Sequence, residues 1–113
     1  MDSKIAELAQ QQLSAYNDHN LDAFVKCYHE EIEVLNADGK VTTRGRDAFR
    51  KNYEAMFARG NFGATVEQRL VHGEHCVDLE HWHRFVKGEE SRGTVLVRYR
   101  LRDNLIGTVQ FLK

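Results

Sequence analysis

Apolar residues recur at three- to four-residue spacing in the first half of the chain and at alternate positions in the second half. The helical spacing predicts a helix over residues 3–17, with Gln12 as a polar group on its inward face. A shorter helix is predicted over 21–29 behind an Asn20 cap, and a third over 47–59, where Gly60 ends it. The first part of the chain is therefore predicted to be mainly helical.

The alternating segments predict six strands. The first covers 32–36, and an Asp38-Gly39 turn leads into the second at 41–44. Four more are predicted at 65–72, 75–86, 91–101 and 105–112, separated by polar turns. Helices followed by a strand meander predict an α+β fold whose mainly antiparallel sheet is covered on one face. With no proline, repeat or linker, we expect one domain over residues 1–113.

Alternation along the later strands predicts which side chains face the helices. On strand 75–86 the apolar positions define one face, whose predicted inward members are Val77, Leu79, His81, His83 and Phe85. The predicted outward members are Asp78, Glu80, Trp82 and Arg84. On strand 91–101 the predicted inward members are Val95, Val97, Tyr99 and Leu101. The outward face, rich in Arg and carrying Trp82 and Leu96, predicts a homodimer interface; the alternative is scattered surface apolar residues.

Composition narrows the classes of protein. The 113 residues are 29% charged and 42% hydrophobic, with a net charge of −1. The sequence contains no block of basic residues such as a nucleic-acid-binding protein would carry. Apolar runs are too short for a membrane span, and the N-terminus lacks the apolar core of a signal peptide. Cys27 and Cys76 are predicted to be reduced core thiols. We therefore expect a cytoplasmic protein that needs no cofactor and binds neither nucleic acid nor membrane.

The sharpest local feature is His81-Trp82-His83. Residues two apart on a strand project to the same side about 6.5 to 7 Å apart. That spacing suits plain cavity-wall histidines, ligand-binding or acid/base groups, or two ligands of a metal that would need a third. No signature requires the metal, so His81 and His83 are treated as candidate catalytic groups.

A second set consists of neutral groups predicted to line an internal cavity. Its members are Gln12, Tyr16, Tyr28, Asn36, Tyr53, Val97 and Tyr99. Either the polar members satisfy each other inside the core, or they orient a ligand carbonyl or hydroxyl. The second alternative predicts an uncharged, partly apolar small molecule as the ligand.

Four segments, residues 15–24, 28–34, 44–49 with Tyr53 after it, and 103–106, carry a family resemblance. Over residues 5–112 the chain resembles the nuclear transport factor 2-like superfamily, in its SnoaL-like and steroid isomerase-like branch. The resemblance implies a cone-shaped fold: a curved sheet wrapped around three helices, with a blind apolar cavity. The superfamily includes isomerases, dehydratases, cyclases, epoxide hydrolases and non-catalytic binding modules, so the fold does not specify the function.

Most catalytic residues of the two enzyme groups compared, ketosteroid isomerases and scytalone dehydratases, are replaced in this chain. Where ketosteroid isomerases place an Asp base, a donor Tyr and a donor Asp, this chain has Asn36, Gln12 and Val97. The Tyr-Asp pair of scytalone dehydratases corresponds to Tyr16-Asn17, which keeps only the tyrosine. We therefore do not expect ketosteroid isomerase chemistry.

Two hypotheses follow from the sequence. The first is a homodimer that binds a small apolar or carbonyl-bearing molecule and acts as an isomerase or dehydratase through His81 or His83. The second is a non-catalytic binding or interaction module in which the outer sheet face matters more than the cavity.

Overall fold

The computed structural model describes residues 3–112 and contains the predicted elements in the predicted order. Their bounds are α1 Lys4–Asn17, α2 Leu21–Lys26, β1 Tyr28–Leu35, β2 Val41–Arg44, α3 Arg46–Arg59, β3 Phe62–His72, β4 His75–Val86, β5 Glu89–Arg102 and β6 Leu105–Phe111. The fold is α+β, as predicted, with three helices against one curved six-stranded sheet. Within the described residues, no helix is long and apolar enough to cross a membrane.

Local chemistry explains how α1 begins and which face it buries. The Ser3 side chain accepts a hydrogen bond from the Ala6 amide, as an N-cap does. The apolar stripe that includes Ile5 and Leu8 is buried against the sheet, at about 1.5–3 kcal/mol for each fully buried side chain. Gln12 is buried on the same stripe, which is where its spacing placed it.

The helix α2 is shorter than predicted and β1 is longer. The helix ends at Lys26, and Tyr28 pairs with Ile106 of β6 in a parallel ladder. The Ile106 amide also donates to the Cys27 carbonyl at 2.9 Å. Because these partners lie far along the chain, helical spacing alone did not reveal that the helix stops here.

The sheet order is β2-β1-β6-β5-β4-β3, and among the strands of residues 3–112 only the β1–β6 pair is parallel. The edge strand β3 is tied to the end of α1 by Asn17. The Asn17 amide nitrogen donates to the Ala64 carbonyl at 2.9 Å, and its oxygen accepts from the Ala64 amide at 2.8 Å. Asn17 therefore has a structural role at the position where dehydratases carry a carboxylate.

The core between helices and sheet is largely aromatic. Tyr28 and Phe49 have ring centroids 4.4 Å apart, and Tyr16 and Phe62 lie 4.5 Å apart. Such pairs add about 0.5–1.5 kcal/mol each beyond burial. Both cysteines are buried and unbridged, which confirms the predicted thiols.

The prediction of which face of β4 looks inward is wrong. Cys76 and Asp78 are fully buried, whereas Phe85 is 40% exposed. In the ladder, Cys76 stands opposite Tyr99 and Asp78 opposite Val97, and both partners on β5 are buried as predicted. The inward face of β4 is therefore the one that the sequence assigned to the outside, and the predicted inward set, Val77, Leu79, His81, His83 and Phe85, lies on the outer face.

Candidate ligand cavity

A cavity of about 470 Å³ lies between the helices and the concave face of the sheet. Its wall is mainly aromatic and aliphatic, with a few polar groups among them. The lining residues that the argument uses are Gln12, Tyr16, Tyr53, Glu80, Trp82 and Arg84. Thr42, Asn52 and Phe111 also line it and are exposed, so we take them to mark its opening. This volume is within the usual range for a small-molecule site.

One part of the wall is a hydrogen-bond network around Gln12. The Tyr28 hydroxyl donates to Gln12 Oε1 at 3.0 Å, and Gln12 Nε2 donates to the Tyr99 hydroxyl oxygen and the Ala9 carbonyl, each at 3.0 Å. Burial raises the pKa of Tyr28 and of Tyr99, so both phenols stay protonated. Within residues 3–112 the Tyr99 proton has no acceptor, so Tyr99 is a donor without a protein partner.

Two further tyrosine hydroxyls face the cavity and make at most one weak contact each among the described residues. The Tyr16 hydroxyl lies 4.0 Å from the Met56 sulfur, a weak contact, and the Tyr53 hydroxyl has no hydrogen-bond partner among the described residues. Burial raises the pKa of Tyr16 to about 12 and raises that of Tyr53 as well. Both are therefore neutral donors that a ligand oxygen can engage.

Glu80 is one of the lining residues that sequence reasoning missed. It is half-buried on β4, opposite Val66 of β3 and Val95 of β5. Burial, and secondarily the charge of Asp78, raises the pKa of Glu80 to about 7. The cavity thus contains a carboxyl group that changes its charge near neutral pH.

The neighbouring carboxylate, Asp78, is held in an ion pair with Arg69. Arg69 Nε and Nη2 donate to its two oxygens at 2.7 and 2.9 Å. The Cys76 thiol also contacts Asp78, at 3.5 Å, and burial raises the pKa of that thiol to about 12, so it is a poor nucleophile. This ion pair is the physical reason that a carboxylate can occupy the buried face of β4.

Trp82 and Arg84 complete the polar end of the wall. The sequence placed both on the outer face, and that assignment is wrong, because both line the cavity. The Arg84 guanidinium carbon lies 4.5 Å from the centroid of the Trp82 ring, a cation–π contact. Within residues 3–112 the guanidinium has no ion-pair partner, so it can offer its donors to a ligand.

The two candidate histidines lie on the other side of the sheet. His81 is exposed and its Nε2 is 2.8 Å from Glu67 Oε1. His83 stands opposite Gly63 and Arg92 on the same outer face. The prediction that the histidine pair shares one cavity with the tyrosines is therefore wrong. In the part of the chain that the structure describes, no three His, Cys, Asp or Glu side chains group as metal ligands would.

Two other residues that were predicted to contact the ligand do not line the cavity. Asn36 closes the β1–β2 hairpin instead: its side-chain oxygen accepts from the Asp38 and Lys40 amides, each at 3.0 Å. Val97 is 1% exposed and packs in the core without lining the cavity. The predicted residues that do come together around the cavity are Gln12, Tyr16, Tyr28, Tyr53 and Tyr99.

A signal for the missed residues existed on β5. Its apolar alternation places Val95 and Val97 inward, and antiparallel pairing fixes Glu80 and Asp78 opposite them. Only the register of that hairpin, which the sequence left open, was needed to assign the face of β4.

The sequence profile of the SnoaL-like domain matches residues 9–108. The match shows that the chain belongs to the SnoaL-like domain family. The resemblance inferred from the sequence is thereby confirmed. No curated protein matches the chain in sequence.

Solved structures share the fold at low sequence identity. An uncharacterized cystatin fold protein from Novosphingobium aromaticivorans is 23% identical over 100% of both chains, with a TM-score of 0.86. A Mycobacterium tuberculosis protein in complex with estradiol-17beta-hemisuccinate is 14% identical over 99% of this chain and 95% of that one, with a TM-score of 0.87. Delta 5-3-ketosteroid isomerase from Mycobacterium sp. is 16% identical over 97% and 92%, with a TM-score of 0.84.

Proposed function

We propose that this protein binds a small, mainly apolar molecule that carries a carbonyl or hydroxyl oxygen. The observation that carries the proposal is an aromatic cavity of about 470 Å³ in which Tyr53 and Tyr99 offer hydroxyl protons that no described residue accepts, and in which the Tyr16 hydroxyl has only the weak acceptor Met56 Sδ at 4.0 Å. The phenols of Tyr53 and Tyr99 are the free donors. Apolar walls with a few convergent donors are typical of ligand sites. A ligand oxygen would supply the acceptor that these phenols lack.

The relatives support the same class of ligand. One was solved with a steroid hemisuccinate, and another is a ketosteroid isomerase. The isomerase's own catalytic set is not carried over, since Gln12, Asn36 and Val97 stand at those positions and Asn36 closes a hairpin. We therefore propose ligand binding of this general type rather than that enzyme's activity.

The experiment compares two bicyclic probes of nearly equal size, 2-tetralone and its hydrocarbon analogue tetralin. Trp82 is the only tryptophan and lines the cavity, so its fluorescence reports occupancy. We expect both probes to change the emission saturably. Tyr53→Phe should weaken the binding of 2-tetralone about 5- to 10-fold, as the loss of one neutral hydrogen bond does, and should leave the binding of tetralin unchanged.

A cavity-filling variant provides the decisive control. Val95 lines the cavity, so Val95→Phe should weaken the binding of both probes while the fold is retained. If neither probe alters Trp82 emission, or if binding survives Val95→Phe unchanged, the ligand is not held in this cavity and the proposal fails.

We also propose a homodimer formed through the outer face of the sheet. Its apolar patch consists of Leu70, Val77, Leu79 and Leu96, which adjoin each other across three strands. Leu70 is 70% exposed and Leu96 38% exposed, which is costly for an isolated chain. A second copy is the proposed occupant because a two-fold axis would set the patch against itself and cover it on both chains. Trp82, which the sequence assigned to this surface, is not part of it.

A further inference from the structure

Arg84 is a cation in the cavity wall that no described residue neutralises. Its direct cross-strand neighbours are Phe62 on β3 and Ser91 on β5, and neither carries a charge. Two carboxyl groups share its face of the sheet, those of Glu80 and Glu89, and within residues 3–112 neither forms an ion pair with it. A half-buried guanidinium without a counter-ion in a largely apolar wall favours a ligand that brings the negative charge.

Arg84 is oriented by the two residues beneath it. Its guanidinium carbon lies over the Trp82 ring, 4.5 Å from the ring centroid. The indole in turn covers the backbone of Gly93 on β5, where a Cβ would collide with it. A guanidinium stacked on an aromatic face keeps the N–H donors at its edge free, and two of these donors match the two oxygens of a carboxylate. The cation is therefore positioned before a ligand arrives.

The Tyr16 side chain lies at the same end of the cavity. Phe62 stands directly opposite Arg84 in the β3–β4 ladder, and its ring centroid is 4.5 Å from that of Tyr16. Burial, and secondarily the charge of Glu80, raises the pKa of Tyr16, whereas the charge of Arg84 lowers it. Among the described residues the Tyr16 hydroxyl has only the weak acceptor Met56 Sδ. An anion paired with Arg84 can thus accept a hydrogen bond from Tyr16 as well.

We propose that the ligand is an apolar acid whose single carboxylate pairs with Arg84, while its hydrocarbon body lies among the aromatic rings of the cavity. This inference rests on the proposed ligand-binding function and names the chemical class of the ligand. The sequence indicated an uncharged ligand, because the alternation along β4 assigned Arg84 to the outer face of the sheet. The structure places that cation in the cavity wall.

The charges of the wall favour one carboxylate over a phosphate or a diacid. Among the described residues that line the cavity, Arg84 is the one basic side chain. Glu80 lies four residues away on the same strand, about 13 Å along an extended backbone, so a carboxylate at Arg84 stays clear of it. Burial raises the pKa of Glu80 to about 7, so a second negative charge nearer to Glu80 would meet a carboxylate above that pH. The rest of the ligand should therefore be uncharged.

The test adds two bicyclic probes of nearly equal shape, tetralin-2-carboxylic acid and its uncharged carboxamide. At pH 7 the acid is ionised. We expect wild-type protein to bind the acid at least about 10-fold more tightly than the carboxamide, because hydrogen bonds to a charged group are the stronger ones. Binding is followed through Trp82 emission, since this single tryptophan lines the cavity.

Two arginine variants assign the preference to one side chain. Arg84→Gln should weaken the binding of the acid about 10- to 100-fold and abolish its advantage over the carboxamide. Arg92→Gln is the matched control, because Arg92 is exposed on the outer face opposite His83, and it should keep the wild-type preference. Arg84→Lys keeps the charge but loses the two-pronged geometry, so it should keep part of the preference.

The outcomes separate this inference from the proposed function. If wild-type protein binds acid and carboxamide equally, or if Arg84→Gln keeps the preference, the assignment of an acid is overturned and ligand binding stands. If none of the four bicyclic probes alters Trp82 emission, both proposals are overturned. Should Arg84→Gln not fold, the wild-type comparison and Arg84→Lys decide: equal affinities in wild type, or an undiminished preference in Arg84→Lys, would overturn the pairing with the guanidinium.

Discussion

Asp78 and Glu80 lie two residues apart on β4 and face the same side of the sheet, yet among the described residues only Asp78 has a cationic partner. Arg69 holds the two Asp78 oxygens at 2.7 and 2.9 Å, while Glu80 lines the cavity. A fixed negative charge thus stands beside a carboxyl group in an apolar wall. After burial, it is the second cause of the raised pKa of Glu80.

Removing the Asp78 carboxylate should destabilise the fold. Asp78→Asn leaves the partly buried Arg69 without its counter-ion, and we expect a loss of about 3 kcal/mol in unfolding free energy, measured by urea denaturation. The control is Glu33→Gln, which removes an exposed partner of Arg44 and should change stability by less than about 1 kcal/mol. Equal losses in the two variants would contradict a structural role for the buried pair.

Glu80 should make folding stability depend on pH. Because the pKa of Glu80 is raised from 4.5 to about 7 on folding, the folded chain keeps a proton that the unfolded chain releases. The stabilisation is complete below pH 4.5 and is lost as pH rises through about 7. Glu80→Gln should therefore gain about 2–3 kcal/mol relative to wild type between pH 4.5 and pH 8.

The difference between variant and wild type is the quantity to measure, because it isolates the contribution of Glu80. Urea denaturation at a series of pH values provides the difference directly. Glu67→Gln, exposed on the outer face, should show no such trend. A difference that stays constant from pH 4.5 to 8 would show that Glu80 titrates normally in the folded chain.

Gly93 should be required for the cavity wall. It stands opposite Trp82, and a Cβ at this position would collide with the indole ring. Gly93→Ala should displace Trp82, cost about 1–3 kcal/mol as overpacking does, and shift the tryptophan emission. Ser91→Ala, at an exposed position on the same strand, is the control and should leave both unchanged. Wild-type emission and stability in Gly93→Ala would refute this packing arrangement.

The outer apolar patch should control oligomeric state. Light scattering should give wild-type protein the molar mass of a dimer of 13.1 kDa chains. Leu96→Glu should give the molar mass of a monomer, since dimerisation would bury a carboxylate in the interface. Val86→Glu is the matched control, because Val86 is also exposed but lies outside the patch. A monomeric wild type, or a Leu96→Glu variant that stays dimeric, would refute the proposed interface.

Prediction from sequence worked best where a pattern is local. The Asp38-Gly39 turn, the buried stripe of α1 with Gln12 on it, and the inward Val95, Val97 and Tyr99 of β5 were read from spacing alone. Each depends on side chains within a few residues, so the periodicity carries the information. The aromatic half of the cavity could therefore be predicted.

The face of β4 could not be predicted. Both faces of β4 carry apolar residues: Val77, Leu79 and Phe85 lie on one face, and Cys76 and Trp82 lie on the other. A one-residue change of strand register would exchange the buried face for the exposed face. Arg69 decides the outcome, because its side chain neutralises Asp78 and lets a charged position lie inward. Since that partner comes from another strand, no local pattern on β4 contains it.

The sequence by itself therefore determined the order of helices and strands, the α+β class and the phenols of the cavity, because helix and strand periods are properties of neighbouring residues. Only the tertiary structure decided that Glu80, Trp82 and Arg84, rather than His81 and His83, meet those phenols. The physical reason is that strand pairing and a cross-strand ion pair set the register of the sheet, and the register decides which side chains share an interior.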